Sequence, residues 1–227
     1  MTRREEFVAL RSIKSERRRL ADEVYDQLLD AILNNEIGLD DRLVQEKLAA
    51  ELQISRTPVR EALLRLEQDG VLITSPRGGF VLHRMSEGEI KELYQARAAI
   101  EGQAARILAV ENNAEKNAQL RHTIETEEDI SSSSVKAYFD ANRNIHRKFV
   151  ELVDNRYLTE MFDNIWNRAT SYQLFAAIEN LDLSSSLGDH MSLVQAIETG
   201  EKGEALEAFI EHIQDGFDLQ IEALSKR

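Results

Sequence analysis

The sequence predicts a mainly α-helical protein in two parts: three helices with a small β-hairpin, then an antiparallel all-α helical bundle. Three observations support this prediction. Apolar residues recur at helical spacing in short segments up to residue 72. Two short apolar runs then flank a tight turn that contains proline and glycine, which is typical of a hairpin. From Ser86 onward the pattern is almost unbroken helix, with no proline after Pro76.

Composition limits the possible classes of protein. The 227 residues suit two domains, and 42% hydrophobic residues are enough to build their cores. The net charge of −13 lies mostly in the second half, because residues 1–84 hold 14 basic and 15 acidic side chains, whereas residues 85–227 hold 14 and 26. The acidic total therefore does not exclude a basic, DNA-binding face in the first half.

Absent features also carry information about location. The chain has no cysteine, which excludes disulfides and thiolate metal sites. No apolar run reaches the roughly 20 residues of a membrane span, and the first 20 residues lack a signal-peptide core. We expect a cytoplasmic protein with no membrane partner. Residues 1–19 contain seven basic residues, and two interpretations stay open for them: a flexible basic arm that follows DNA, or a solvated terminus.

Two short helices are predicted ahead of a third that begins near Ser55. The first ends before Gly38, and the second is separated from Ser55 by only two residues, a spacing that fits a helix-turn-helix. Ser55 is a suitable N-cap, and Pro58 lies in the first turn, where a missing N–H costs little. The apolar positions of the three helices are, in order, Val24, Leu28 and Ile32; Leu43, Leu48, Ala49 and Leu52; and Val59, Ala62, Leu63 and Leu66.

The third helix also carries arginines away from its apolar stripe. Arg56 and Arg60 share one face, and Arg65 extends the positive surface. Arginines near the N-terminus of a short helix suit the major groove, where they reach guanine edges or phosphates. The alternative is a solvated surface helix with incidental charge. The hairpin that follows, residues 71–74 and 80–83 around residues 75–79, would form the wing of a winged helix-turn-helix.

Residues 20–84 closely resemble the winged-helix domain of the GntR family of bacterial transcription regulators. The resemblance lies in the string L-A-x-E-L-x-I-S-R-T-P-V-R-E-A-L-x-R-L-E-x-D-G-V-L and in the glycine-bearing wing. Family members often carry a basic residue on the second helix where this chain has Glu46. The DNA contacts that the resemblance implies are Ser55, Arg56, Thr57 and Arg60, with Arg77, Gly78 and Gly79 at the wing.

Residues 85–227 are predicted to form a six-helix bundle. Ser86 and Glu89 make a capping box at the start of its first helix. A turn between Gly200 and Gly203 precedes the last helix, and the short connections favour an antiparallel arrangement. The predicted helices cover about residues 86–110, 114–130, 135–153, 157–178, 186–199 and 203–225.

Three histidines of the bundle have apolar neighbours on their own helix faces, so we expect them to point into the core. His190 and His212 each lie eleven residues from Glu201, which brings them to similar heights on paired helices. His146 points inward on another helix, and Asn142, one turn earlier, can present an oxygen to the same place. Imidazoles with an oxygen suit a divalent metal such as Zn²⁺ or Ni²⁺. The alternative is three hydrogen-bonded core histidines.

This second half resembles the FCD type of effector and dimerisation domain, which defines the FadR branch of the GntR family. The matching segments are E-L-Y-Q-A-R-A-A-I-E-G-Q-A-A-R, N-R-N-I-H and H-M-S-L-V-Q-A-I, together with His212. The resemblance implies Asn142, which is often Asp in the family, His146, His190 and His212 as metal ligands. It also implies that Arg97 pairs with the carboxylate of a small organic acid. An intrabundle salt bridge is the alternative for Arg97.

Our main hypothesis is a ligand-responsive, non-enzymatic transcription regulator. It would bind a pseudo-palindromic operator as a homodimer, controlled by a carboxylate bound near the metal. One alternative is a DNA-binding dimer whose bundle is structural and binds no ligand. Another is a metal-dependent hydrolase, since three histidines can leave a coordination position open. Against the hydrolase, we find no inward carboxylate at H-E-x-x-H spacing, no phosphate loop and no G-x-S-x-G elbow.

Overall fold

A computed structural model describes residues 16–33, 36–129, 135–166, 171 and 189–225. The chain divides into two compact units. The first ends at Gln68 and also includes Leu72–Leu82, and the second comprises Asp69–Val71 and the chain from His83 onward. Within the described ranges, no helix has the length and apolar character needed to cross a lipid bilayer.

The first unit contains three helices and a two-stranded antiparallel sheet. The predicted apolar positions of α1 and α3 form its core, because α1 packs along α3 and both apolar stripes are buried. Since α1 already begins at Glu16, the last four residues of the predicted arm 1–19 are helical, and residues 1–15 lie outside the described part. The elements are α1 Glu16–Leu33, α2 Gln45–Glu51, α3 Arg56–Gln68, β1 Leu72–Thr74 and β2 Phe80–Leu82.

Leu43 lies in a different element from the one we predicted. It precedes α2, which begins at Gln45, and its backbone pairs with Phe80 of β2. The Leu43 N–H donates to the Phe80 carbonyl and the Phe80 N–H donates back to the Leu43 carbonyl, both at 2.8 Å. Two backbone hydrogen bonds to a strand favour an extended conformation over another helical turn. Leu43 therefore lengthens the sheet of the wing.

The second unit is a helical bundle, as predicted. The capping box is present: the Ser86 N–H donates to Glu89 Oε2 at 2.8 Å, and the Glu89 N–H donates to Ser86 Oγ at 3.3 Å. Of the predicted helix 157–178, residues 167–170 and 172–178 lie outside the described ranges, as do residues 186–188 of the predicted helix 186–199. The helices are α4 Glu87–Glu111, α5 Ala114–Glu128, α6 Val135–Glu151, α7 Arg156–Trp166, α8 His190–Glu198 and α9 Lys202–Ser225.

Helix α4 is the centre of the bundle and packs against α6, α7, α8 and most extensively α9. At Gly102 a Cβ atom would lie 2.7 Å from Leu206 Cδ1 of α9, so a larger residue there would require the leucine side chain to move. Phe149 of α6 and Phe209 of α9 are fully buried and pack edge to face, with ring centroids 4.9 Å apart. The close packing brings the polar residue next to Gly102, Glu101, into the interior.

Candidate nucleic-acid interface and candidate metal centre

The N-terminal turn of α3 presents a polar surface. Ser55, Arg56, Thr57 and Arg60 are all exposed, whereas the opposite face of the same helix is buried in the first unit. Among the described residues Arg60 makes no ion pair, so its guanidinium is available for an external anion. The geometry allows these four side chains to contact a groove or a phosphate together.

Two of the arginines on α3 have partners within the first unit. Arg56 Nη1 lies 3.4 Å from Glu46 Oε1 of α2, in an exposed ion pair. Arg65, which we expected to extend the positive surface, contacts α1 instead: its Nη1 lies 3.0 Å from Asp22 Oδ1, and its guanidinium lies 4.1 Å from the centre of the Tyr25 ring. Arg65 therefore has a structural role between α1 and α3.

The wing turn requires its two glycines for different reasons. Gly78 and Gly79 both have positive φ, 80° and 77°. A Cβ atom at Gly79 would lie 2.5 Å from the Leu43 carbonyl oxygen, whereas a Cβ atom at Gly78 would meet nothing within 4 Å. The carbonyl of exposed Arg77 accepts a hydrogen bond from Arg42 Nη1 at 2.7 Å, which holds the turn. The three predicted wing residues thus lie on a fixed turn.

The bundle brings the three predicted histidines together. His146 of α6, His190 of α8 and His212 of α9 meet in the interior, and His146 and His190 are almost completely buried. The Nε2 atom of His146 lies 3.3 Å from the Nε2 atom of His190 and 3.3 Å from that of His212. Asn142 is buried on α6, one helical turn before His146.

Two carboxylates that we had not predicted lie on the outer side of this histidine cluster. Glu101 Oε2 is 2.6 Å from His146 Nδ1, and Glu128 Oε1 is 3.1 Å from His190 Nδ1. Neither carboxylate has the H-E-x-x-H spacing considered above, although both lie beside a histidine. Both carboxylates contact Nδ1 atoms, on the side away from the converging Nε2 atoms. The arrangement orients the imidazoles and offers no base at the open side.

The charge states in the cluster follow from burial and neighbours. Burial alone would raise the pKa of Glu101, but the charge of Arg97 and the contacts with His146 hold that pKa well below its usual value. Burial lowers the pKa of His146 to about 4 and that of His212 to about 2. The two imidazoles are thus neutral near pH 7, and the Nδ1–H of His146 donates to an ionised carboxylate.

This tautomer leaves unshared electron pairs facing one another. When Nδ1 of His146 and Nδ1 of His190 each donate to a carboxylate, both Nε2 atoms are acceptors only. Two such acceptors 3.3 Å apart repel each other unless a cation lies between them. The donor set therefore favours a bound cation at the point where the Nε2 atoms converge.

Arg97 forms the intrabundle salt bridge that the sequence left open as its alternative role. Its Nε donates to Glu101 Oε1 at 3.0 Å, and its side chain is 11% exposed. The guanidinium also lies 4.3 Å from the centre of the Trp166 ring and 5.0 Å from that of Tyr94. Arg97 is therefore held close to the cluster through Glu101, which also contacts His146.

Comparison with known proteins identifies both units. The family model described as "Bacterial regulatory proteins, gntR family" matches residues 20–82, and the FCD domain model matches residues 92–215. The chain belongs to the gntR family and carries an FCD domain. It is accordingly a DNA-binding transcription regulator, and its family is a class of regulators rather than enzymes.

Individual relatives agree with this assignment. The regulator is 26% identical over 184 residues to the Nta operon transcriptional regulator of Aminobacter aminovorans, covering 81% of this chain and 86% of that protein. The structure of E. coli McbR/YncC is similar in fold, with a TM-score of 0.65 at 24% identity, covering 89% of this chain and 97% of the other. The metal-free FCD domain of TM0439 has a TM-score of 0.51 at 20% identity and covers 64% of this chain and 100% of its own.

Proposed function

We propose that this regulator responds to a small carboxylate that binds beside a divalent metal in the FCD domain. The metal would be held by His146, His190 and His212 with the amide oxygen of Asn142, and the carboxylate by Arg97. The convergence of three imidazole Nε2 atoms in the interior of the bundle carries this proposal. FCD domains can bind a metal, and the histidine cluster is this chain's own set of candidate ligands.

The distances from His146 to the other two histidines suit a small divalent ion, and the three ligand nitrogens lie within 4.8 Å of one another. Two nitrogens bound at about 2.0–2.1 Å to one tetrahedral ion lie about 3.3 Å apart. The two His146 distances in the cluster have this value. Neutral imidazoles suit Zn²⁺ and Ni²⁺, and no thiolate is available in a chain without cysteine. Asn142 adds an oxygen without adding a negative charge, so the site itself would leave most of the ionic charge available to an anionic ligand.

The residues around the cluster prepare it for binding. Glu101 and Glu128 fix the imidazole tautomers and make the Nε2 atoms better donors. When bound, the metal would supply a Lewis-acidic position for an effector oxygen. Arg97 keeps its Nε on Glu101, and its planar guanidinium, next to two aromatic rings, is suited to pair with a carboxylate through its terminal nitrogens.

Effector binding would act on DNA through the populations of regulator conformations. We propose a homodimer that places two recognition helices on a pseudo-palindromic operator. Residues 1–19, 20–84 and 85–227 would act as a basic arm, a DNA-binding domain and an effector-binding and dimerisation domain. A ligand that binds one conformation more tightly shifts operator affinity by that difference. The proposed DNA contacts are Ser55, Arg56, Thr57, Arg60, Arg77, Gly78 and Gly79.

Metal analysis and thermal unfolding test the proposal together. We expect about one divalent ion per chain by elemental analysis, and a lower Tm after chelation, because an ion that binds only the folded state stabilises it. His190→Ala should lose the metal and the response to chelation. His122→Ala is the matched control, since His122 is exposed on α5.

The effector is tested on the same samples. A panel of small carboxylates should contain at least one that raises the Tm of the metal-bound protein and has no effect on the chelated protein. A regulator whose Tm responds neither to chelation nor to any carboxylate would instead favour a bundle that serves only to dimerise.

A further inference from the structure

Glu101 is one buried carboxylate shared by three donors. Its Oε2 lies 2.6 Å from His146 Nδ1, and its Oε1 accepts from Arg97 Nε at 3.0 Å and from Trp166 Nε1 at 3.3 Å. Its side chain is 1% exposed. The proposed function uses His146 for the metal and Arg97 for the effector, and Glu101 connects these two residues directly.

We propose that Glu101 is a positioning residue that couples the two binding events, so that metal and carboxylate effector each increase the affinity for the other. The inference rests on the proposed function. It assigns to Glu101 a regulatory role in addition to holding the His146 tautomer.

The direction of the coupling follows from charge. Arg97 and the imidazole of His146 share the negative charge of one desolvated carboxylate. A second carboxylate bound to Arg97 would neutralise the guanidinium, so that more of the field of Glu101 acts on His146. A more strongly polarised Nδ1–H makes Nε2 a better metal ligand. Thermodynamic linkage then requires that the metal raises the affinity for the carboxylate by the same factor.

Glu128 provides a matched comparison within the same cluster. It holds His190 Nδ1 as Glu101 holds His146 Nδ1, but it is 33% exposed. In the described part of the chain, no arginine or lysine forms an ion pair with Glu128. It can therefore orient a ligand without transmitting anything from Arg97. A comparison of Glu101 and Glu128 variants therefore distinguishes coupling to Arg97 from simple orientation of a histidine ligand.

The test is a double-mutant cycle read out by zinc affinity, measured by competition with a chromophoric chelator on full-length, metal-free protein. Arg97→Met removes the positive charge of the guanidinium, as neutralisation would, and keeps much of the side-chain volume. We expect it to raise zinc affinity about five-fold, at the lower end of known couplings. Glu101→Gln and Glu128→Gln should each lower zinc affinity about 10- to 100-fold. These are the expected changes in zinc affinity for the three single variants.

The double variants test whether the coupling passes through Glu101. In the Glu101→Gln background the gain from Arg97→Met should shrink to less than two-fold, whereas in the Glu128→Gln background it should persist. A direct repulsion between Arg97 and the ion would leave the same gain in both backgrounds, and that outcome would overturn the inference. A wild-type protein that binds no zinc would instead refute the proposed function itself.

A second version of the cycle is available if Glu101→Gln does not fold. Glu101→Gln leaves Arg97 with a weakened buried partner, which can destabilise the bundle. If circular dichroism shows that this variant is unfolded, the cycle is run with Glu101→Asp, whose shorter side chain keeps the charge but cannot reach both partners. The gain from Arg97→Met should again shrink, and an undiminished gain would contradict the coupling.

Discussion

The surface proposed to contact DNA and the histidine cluster are built in opposite ways. The former is exposed and nearly contiguous in sequence, with four of its side chains between Ser55 and Arg60. The latter is buried and draws its groups from α4, α5, α6, α8 and α9. Exposed contacts can be changed with little effect on the fold, whereas each group of the cluster also contributes to the packing and charge balance of the bundle. Mutations should therefore separate binding from stability at one site and not at the other.

The largest expected effect is at the wing, where one substitution should lower both stability and operator binding. Gly79→Ala places a Cβ atom 2.5 Å from the Leu43 carbonyl oxygen at a φ of 77°. We expect a loss of at least about 3 kcal/mol in the stability of the first unit, with loss of operator binding. Gly78→Ala, which meets nothing within 4 Å, should cost only the roughly 1–2 kcal/mol of a left-handed alanine. Urea unfolding and gel-shift titration measure both, and equal effects would contradict the role of the Leu43 contact.

The second prediction compares two arginines on a single helix, α3. Arg60→Ala should weaken operator binding by about 1–3 kcal/mol, or roughly five- to 150-fold, and leave the Tm unchanged. Arg65→Ala should do the reverse, with near-normal operator affinity and a small loss of stability, because Arg65 contacts Asp22 and Tyr25. If both variants bind the operator normally, Arg60 is not a DNA contact.

The third prediction concerns the pH dependence of the metal-free bundle. The pKa of His212, which faces His146, His190, Arg97 and Glu101, is lowered by burial to about 2. The unfolded chain takes up a proton near pH 6.5 while the folded chain does not, so stability falls as the pH drops below about 6.5. Between pH 7 and pH 5 this one histidine should cost about 2 kcal/mol.

Chelated His212→Leu should therefore lose less stability over this range than the chelated wild type, as measured by urea unfolding. His122→Leu is the matched control, because it removes an exposed histidine from the same bundle. Parallel pH profiles for the wild type and the His212 variant would show that the pKa of this histidine is not lowered in the folded protein.

The smallest expected effect lies in the Arg56–Glu46 pair. If Arg56 contacts DNA as proposed, the exposed carboxylate of Glu46 competes with phosphate for its guanidinium and repels DNA at close range. Glu46→Gln should increase affinity for random DNA a few-fold and steepen the salt dependence by up to about one unit. Filter binding on random and operator duplexes at two salt concentrations tests this. An unchanged affinity for random DNA would mean that Glu46 lies away from the phosphates.

Sequence analysis succeeded where the signal is local in the chain. The buried stripe of α3 and, within the described ranges, the helices of the bundle were correctly predicted, because a period of 3.6 residues is a local signal. The capping box at Ser86 is also local and was confirmed. The similar heights of His190 and His212 required only the assumption that neighbouring helices are paired.

The errors came from contacts between residues distant in the chain. Leu43 has helical neighbours and good apolar spacing, but its pairing with Phe80 depends on a strand far downstream. Glu101 gave one local clue, its position four residues after Arg97, which suits a helical ion pair. Its contact with His146 depends on how α4 meets α6, and nothing local to Glu128 indicates its contact with His190.

The pairing of Leu43 with Phe80 has a further consequence for how the first unit opens. It closes the segment that contains α2, α3 and β1 into a loop tied at both ends by reciprocal backbone hydrogen bonds. A fluctuation that frees the wing must therefore also free the start of α2, because the same two amides hold both. In hydrogen exchange the Leu43 and Phe80 amides should be protected to the same degree. The wing and the helix-turn-helix would then behave as one cooperative unit of unfolding.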